Sequence, residues 1–289
     1  MSSRTPQIEA WTNDAGERFR QLSWSKEGSE NLLFIQHGLG EHGGRYQTLA
    51  DALDDVDANI ASFDSRGHGE SVGKRGDAEG LAGLAADLQV QLDLAIERFQ
   101  PKRVILLGHS MGGAALAYAL LNSPEQKMSK QLVGAIFSAP AVSVYKTLDV
   151  KITLGIGSLL GKVMPTLTIG SGIDPSTISS DPSQVRRYVE DPLIHDRITA
   201  RMGVSLVGDG EICADNAERI TLPALVYQGQ DDHIVPAEGT QRFAERLGSS
   251  DKTIHLFKGS RHEVHHETPE KAEELFEVLR VWLTTHFVD

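Results

Sequence analysis

The sequence predicts an α/β protein: a mostly parallel sheet with helices on both faces and one insertion. Three observations carry that expectation. Short apolar runs alternate with amphipathic or Ala- and Leu-rich runs on both sides of a central gap. A Gly108-His-Ser-Met-Gly112 turn joins one strand-like run to one helix-like run. The alternation lapses from about 141 to 216, where glycines and prolines scatter.

Taken in order, residues Glu17 to Trp24 alternate as a half-buried strand and end in a turn at Glu27-Gly28-Ser29. Asn31 to Gln36 is an apolar strand running into His37-Gly-Leu-Gly40. Tyr46 to Asp54 reads as a short helix and Asn59 to Phe63 as the next strand. Leu81 to Phe99 places apolar residues at 81, 84, 85, 88, 92, 95, 96 and 99, one face of a long helix that Pro101 stops. Arg103 to Leu107 is the strand before the glycine turn, and Gly113 to Leu121 the helix after it. Leu132 to Phe137 is another strand, running into Ser138-Ala-Pro140. Beyond the gap come Ala224 to Gln228 (strand), Glu238 to Leu247 (helix), Thr253 to Phe257 (strand) and Pro269 to Phe287 (helix). The expected organisation is a core of 1–140 and 217–289 with an inserted cap over 141–216. Such sheets bind ligands at the carboxyl ends of their strands. The loops at 37–45, 108–112 and 228–236 all follow strands.

Charge narrows the function classes. Lys and Arg total 28 against 40 Asp and Glu, a net charge of −12, with no basic tract. Nucleic-acid binding needs clustered cations, so it is not expected. The acidic balance also disfavours strong adsorption to anionic membranes. Cys213 is the single cysteine, so no intrachain disulfide can form, in keeping with a cytoplasmic protein. Residues 1–13 show no apolar signal-peptide core, and no uncharged apolar stretch approaches the roughly 20 residues of a membrane span.

The glycine turn is where chemistry is expected. A G-x-S-x-G turn between strand and helix exposes a serine above the sheet. That serine, Ser110, is a poor nucleophile unless a histidine takes its proton and a carboxylate holds the histidine. The carboxylate belongs at the end of a late strand, where Asp231 and Asp232 both stand. The histidine belongs after the following strand, where His262 stands with His265 and His266 close by. An oxyanion needs two donors. The Met111 amide follows the nucleophile, and the Leu39 amide lies in the loop after an earlier strand. The same stretch also spells His262-Glu-Val-His-His266, an H-E-x-x-H zinc signature. That signature needs a helix, and this segment lies between a glycine turn and Pro269.

Several stretches together resemble the monoacylglycerol lipase and lysophospholipase group of α/β-hydrolases. They are His37-Gly-Leu-Gly-Glu-His-Gly-Gly-Arg-Tyr46, Phe63-Asp-Ser-Arg-Gly-His-Gly-Glu-Ser71, Gly108-His-Ser-Met-Gly-Gly113, Gln228-Gly-Gln-Asp-Asp-His233 and Gly259-Ser-Arg-His-Glu-Val-His-His-Glu267. The match runs from about Gly16 to the C-terminus. The resemblance implies Ser110, Asp232 and His262 as the triad, with Leu39 and Met111 as oxyanion donors. It implies Glu41, Arg45 and His265 near the glycerol end of a substrate, and no cofactor or metal. It implies a serine hydrolase that cleaves the ester of a monoacylglycerol through an acyl-enzyme. A lysophospholipase or broader carboxylesterase is the alternative: Glu263 fits the lysophospholipase pattern, whereas His265 fits the monoacylglycerol lipases. A zinc protease and a non-catalytic scaffold are the readings outside this class.

The resemblance implies that the cap forms an apolar lid over the acyl tunnel. Leu148, Ile152, Ile156, Leu159, Leu160 and Val163 share one helical face, although 148–156 also alternates as a strand would. Lys146, Lys151 and Lys162 face only Asp149 between 141 and 173, a local reversal of the global sign. That pattern suits transient contact with a membrane surface through this cap, and packing of the apolar face against the main domain is the alternative reading.

Overall fold

A computed structural model describes residues 4–13, 16–123, 128–145 and 163–288. Its strands are β1 (Gln7–Thr12), β2 (Arg18–Trp24), β3 (Asn31–Gln36), β4 (Asn59–Phe63), β5 (Arg103–His109), β6 (Leu132–Ser138), β7 (Thr168–Gly170), β8 (Arg197–Thr199), β9 (Ala224–Gly229) and β10 (Lys252–Phe257). Eight of them form one sheet in the order β1-β2-β4-β3-β5-β6-β9-β10. The pairs β1–β2 and β2–β4 are antiparallel, and every pair from β4 to β10 is parallel.

The helices are α1 (Gln47–Ala52), α2 (Gly80–Phe99), α3 (Met111–Asn122), α4 (Pro182–Glu190), α5 (Ala200–Asp215), α6 (Ala237–Arg246) and α7 (Pro269–His286). Alternating side chains of each central strand serve two separate cores. Leu32, Phe34, Val104 and Leu106 pack with α2, α3, α5 and α6. Leu33, Ile35, Ile105 and Leu107 pack with α1 and α7. A strand covered on both faces reads as a continuous apolar run, which is why β3 and β5 lack polar alternation.

Strand β1 was not expected. Its residues are exposed but for a half-buried Trp11, and it pairs only with β2, so no apolar periodicity marks it.

Among the described residues between β6 and β9, the main sheet gains no strand. β7 and β8 pair antiparallel with each other alone. Asp181 caps α4 by accepting the Ser183 amide at 2.8 Å, with Pro182 in the first turn. Helix α5 carries Gly203, Gly208 and Gly210, which hide it from a propensity reading. One of these glycines is needed for packing: a Cβ at Gly210 would lie 2.7 Å from the Ala141 carbonyl oxygen. The expected apolar face from Leu148 to Leu160 and the lysines at 146, 151 and 162 lie outside the described residues.

The segment before α5 is tied to the core. The His195 amide donates to the Gly40 carbonyl at 2.9 Å and the Thr199 amide to that of Gly76 at 3.0 Å. Arg201 gives two bonds of 2.8 Å to the Asp77 carboxylate, and Thr199 adds its hydroxyl at 3.1 Å. Among the described residues, no helix is long and apolar enough to cross a membrane.

Candidate active site

Ser110 sits between the end of β5 and the first turn of α3 with φ 52° and ψ −116°. An L-residue rarely holds a positive φ, and such strain persists only where the surroundings enforce it. Here the Ser110 amide donates to Ser138 at 2.9 Å, and its carbonyl accepts from Ala114 at 3.1 Å and Ala141 at 3.0 Å. The turn tolerates no side chain at either flanking glycine. A Cβ at Gly108 would meet the Gly112 carbonyl oxygen at 2.5 Å, and one at Gly112 would meet that of Gln36 at 2.3 Å.

Asp232 follows β9 and His262 follows β10, neighbouring parallel strands. One Asp232 oxygen accepts the amides of Ile234 (2.7 Å) and Val235 (3.0 Å). The other accepts Gln228 Nε2 at 2.8 Å and the His262 Nδ1–H at 2.7 Å. The proton on Nδ1 leaves Nε2 of His262 as the basic nitrogen. Burial alone would raise the Asp232 pKa, but the His262 ring and the two amides hold it below the usual carboxylate value. Burial would likewise lower His262, and the Asp232 charge and hydrogen bond overcome it, so its pKa is raised above 6.5. Asp231, the rival carboxylate, is exposed.

Ser110 and His262 line the same cleft, together with Leu39, Ile173, Ile178, Tyr188 and Ile234. Glu41 and Glu263 line it too. A wider surface groove of about 530 Å³, between β10 and α7, contains none of these residues. Leu39 follows β3 and Met111 opens α3, so both amides stand at the carboxyl edge of adjacent strands. The first amides of a helix have no intrahelical acceptor, which leaves Met111 N–H available to a ligand.

The remaining expected residues form a buried network. The Glu41 carboxylate accepts the Gly38 amide at 2.6 Å and Arg45 Nη1 at 2.8 Å. Arg45 makes a two-pronged pair with Glu263, both bonds 2.7 Å, beneath the Tyr188 ring. His266 Nε2 donates to the Arg45 carbonyl at 3.1 Å. Arg45 itself does not line the cleft. His265 does not either: it is buried, stacked on Tyr46 with centroids 5.4 Å apart, and both its ring nitrogens lack a partner among the described residues. His109, beside the serine, donates or accepts at Ser138 Oγ over 2.9 Å and lies 4.9 Å from the His262 ring. Burial, with the His262 charge second, pushes His109 down to about 4, so it is neutral at pH 7.

Three pairings had no local sequence signal: Gln228 bracing Asp232, Tyr188 over Arg45, and Glu263 as the main partner of Arg45. Arg45 and Glu263 are 218 positions apart. The H-E-x-x-H reading does not fit this geometry. Val264–His266 is a single 3-10 turn, and His262 and His266 are engaged by Asp232 and by Glu263 with Arg45.

The family model for serine aminopeptidase S33 matches residues 28–269. The monoglyceride lipase of Rattus norvegicus is 31% identical over 90% of this chain and 85% of its own length. A crystal structure of a monoacylglycerol lipase from Paleococcus ferrophilus is 33% identical, with a TM-score of 0.78 over 98% of this chain and 99% of that one. A soluble variant of monoglyceride lipase from Saccharomyces cerevisiae, solved with a substrate analogue, superposes with a TM-score of 0.87 at 23% identity, covering 100% and 99% of the two chains.

Proposed function

Because this chain belongs to the serine aminopeptidase S33 family and is kin to the monoglyceride lipases, we propose that Ser110, His262 and Asp232 are its catalytic triad. The fold is the α/β-hydrolase fold. The protein is an ester hydrolase of monoacylglycerols, releasing fatty acid and glycerol. The observation that carries the site assignment is the 2.7 Å His262–Asp232 bond, made by a histidine that shares its cleft with Ser110.

In this mechanism Ser110 Oγ attacks the ester carbonyl as His262 Nε2 takes its proton. The amides of Leu39 and Met111 receive the oxyanion, each worth about 100- to 1000-fold in rate. The imidazolium returns its proton to the departing glycerol oxygen. Water, deprotonated by the same histidine, then hydrolyses the acyl-enzyme. Glu41 faces the glycerol and braces the oxyanion loop through the Gly38 amide, while Arg45 and His265 support that wall from behind.

Residues 141–216 serve as the inserted cap, with α5 docked on α2 and α3. Its exposed Val163, Met164 and Ile169 support transient contact with lipid surfaces by a cytoplasmic enzyme.

The test is hydrolysis of matched monoacylglycerol, lysophosphatidylcholine and p-nitrophenyl esters by wild type and Ser110→Ala. An aminoacyl anilide belongs in the panel because the family includes aminopeptidases. Preference for monoacylglycerol, lost in the variant, is expected. Ester turnover that survives Ser110→Ala would sink the triad.

A further inference from the structure

We propose that strand β10 is the contact through which two copies of this chain associate, edge to edge, about a two-fold axis at Ile254. The pairing extends the eight-stranded sheet of one copy into that of the other. The inference goes beyond the ester-hydrolase reading above and does not depend on it.

Four observations support it. First, β10 ends the sheet, and among the described residues it pairs with β9 alone. The Ala224 amide donates to the Asp251 carbonyl and the Gln230 amide to that of Phe257, so the odd-numbered residues of β10 turn their main chain toward β9. Lys252, Ile254 and Leu256 therefore turn theirs outward. Second, this edge is unguarded. Outer strands are commonly blunted by a proline, a bulge or an outward-reaching lysine. Residues 252–257 contain no proline, and their register with β9 runs without a shift. Lys252 Nζ is folded back onto the Glu245 and Leu247 carbonyls, at 2.6 and 2.7 Å. Third, the edge matches itself. Only the antiparallel register centred on Ile254 pairs all three outward residues with one another: Ile254 with Ile254, and Lys252 with Leu256. Each such pair exchanges two main-chain bonds. Centring the axis on Lys252 or on His255 would instead set Lys252 against Lys252 or against Lys258, a like-charge pair. Fourth, the flanks complement one another. In the Ile254 register His255 lies diagonal to the second copy's Asp251, and Lys258 lies opposite Ser250. The groove of about 530 Å³ beside α7, lined by Thr253, His255, Val281 and Trp282, opens on the same face as His255. There Val281 is 69% exposed, apolar surface that a strand pair alone does not supply to an interface.

The arrangement leaves the chemistry of each copy free. The paired strands run antiparallel, so the carboxyl ends of the two parallel sheets point in opposite directions and neither cleft is covered by the other copy. Replacing Ile254 with lysine sets two cations beside the axis. At about 5–10 Å and an effective dielectric of about 20, their repulsion weakens association at least about tenfold. Replacing it with proline removes an outward N–H and leaves the bonds to β9 in place.

The experiment is sedimentation equilibrium of the full chain from about 1 to 100 μM, for wild type, Ile254→Lys, Ile254→Pro and Ile8→Lys. Ile8 is exposed on β1, the opposite edge of the sheet, and controls for a lysine added to an outer strand. Wild type and Ile8→Lys should reach twice the chain mass. Both Ile254 variants should sediment as single chains over the same range while keeping p-nitrophenyl butyrate hydrolysis per site. Amide hydrogen exchange gives a second readout: the Lys252, Ile254 and Leu256 amides of wild type should slow as concentration rises. Wild type that stays at the chain mass at about 100 μM overturns the proposal, as does an Ile254→Lys dimer as tight as wild type. A dimer that Ile8→Lys dissociates places the contact on β1 and overturns it too. If the Ile254 variants do not fold, exchange at those three amides that is independent of concentration overturns it instead.

Discussion

Replacing Asp232 with asparagine tests the site most sharply, because the structure dictates how the amide must sit. One oxygen of Asp232 accepts two backbone amides, at 2.7 and 3.0 Å. Asparagine must keep its oxygen there. Its NH2 then points at Gln228 Nε2 and at His262 Nδ1. Gln228 cannot relieve the clash by rotating, since its Nε2 also donates to the Val235 carbonyl at 2.7 Å. His262 must accept at Nδ1, so its proton moves to Nε2 and faces the serine. A triad histidine in that tautomer cannot act as base, and the expected loss in kcat is about 10⁴-fold. Stability should fall by about 2–3 kcal/mol, through the lost charge-assisted bonds and one opposed donor pair.

The pH dependence has a definite sign. The folded pKa of Asp232 is depressed, so its contribution exists above the ordinary Asp value of about 3.9 and is lost as pH falls through the folded value. The folded pKa of His262 is raised, so its contribution is full below about 6.5 and is lost as pH rises through the folded value. The stability gap between wild type and Asp232→Asn should therefore peak between about pH 4 and 6.5. If His262 is the base proposed above, activity needs it neutral, and the wild-type kcat/KM should climb through an apparent pKa above 6.5. The assay is p-nitrophenyl butyrate hydrolysis from pH 5 to 9, beside urea unfolding at pH 5 and 8.5. A loss smaller than tenfold, or an equal stability gap at both pH values, would refute this account.

Other changes should read out strain, packing and anchoring. Ser110→Gly relieves the positive φ and should raise Tm by about 2 °C while abolishing hydrolysis, since about 1 kcal/mol should survive the added entropy of glycine. A Tm below wild type would argue that the turn is not strained. Gly112→Ala drives a methyl to within 2.3 Å of the Gln36 oxygen and 2.5 Å of the His37 oxygen, both backbone. It should cost more than 3 kcal/mol in urea unfolding or prevent folding; a loss under 1 kcal/mol would contradict the packing described. Asp77→Ala removes both Arg201 bonds and that of Thr199. Proteolysis between residues 163 and 200 should quicken several-fold, with global stability falling by only about 1–2 kcal/mol. Unchanged cleavage would mean that other contacts seat this segment.

The central parallel strands were legible because burial on both faces leaves an unbroken apolar run, and Asn59–Phe63 was read at its observed bounds. Strand β1 was not, since an exposed outer strand stabilised by main-chain bonds needs no apolar code. Helix α5 was hidden by three glycines, at least one of them kept for close backbone approach to Ala141. At the site, Ser110, Asp232 and His262 follow strands in an order that sequence can display. The Glu41–Arg45–Glu263 network cannot be read that way. Its partners come from opposite ends of the chain, and nothing local distinguishes a glutamate paired in a protein interior from one in water.

The pairing of Gln36 with Gly108 across β3 and β5 has a mechanical consequence. Leu39 and Met111 each lie three residues beyond that rung, so the hydrogen-bond ladder acts as a ruler for the gap between their amides. Slipping one strand by a single residue would move one amide about 3.3 Å and turn its neighbours to the opposite face. Loop remodelling leaves the ruler untouched, whereas an insertion inside β3 or β5 cannot. Heat inactivation of the chemical step should accordingly coincide with melting of the sheet, and cap substitutions should alter which lipids enter without changing how the bound ester reacts.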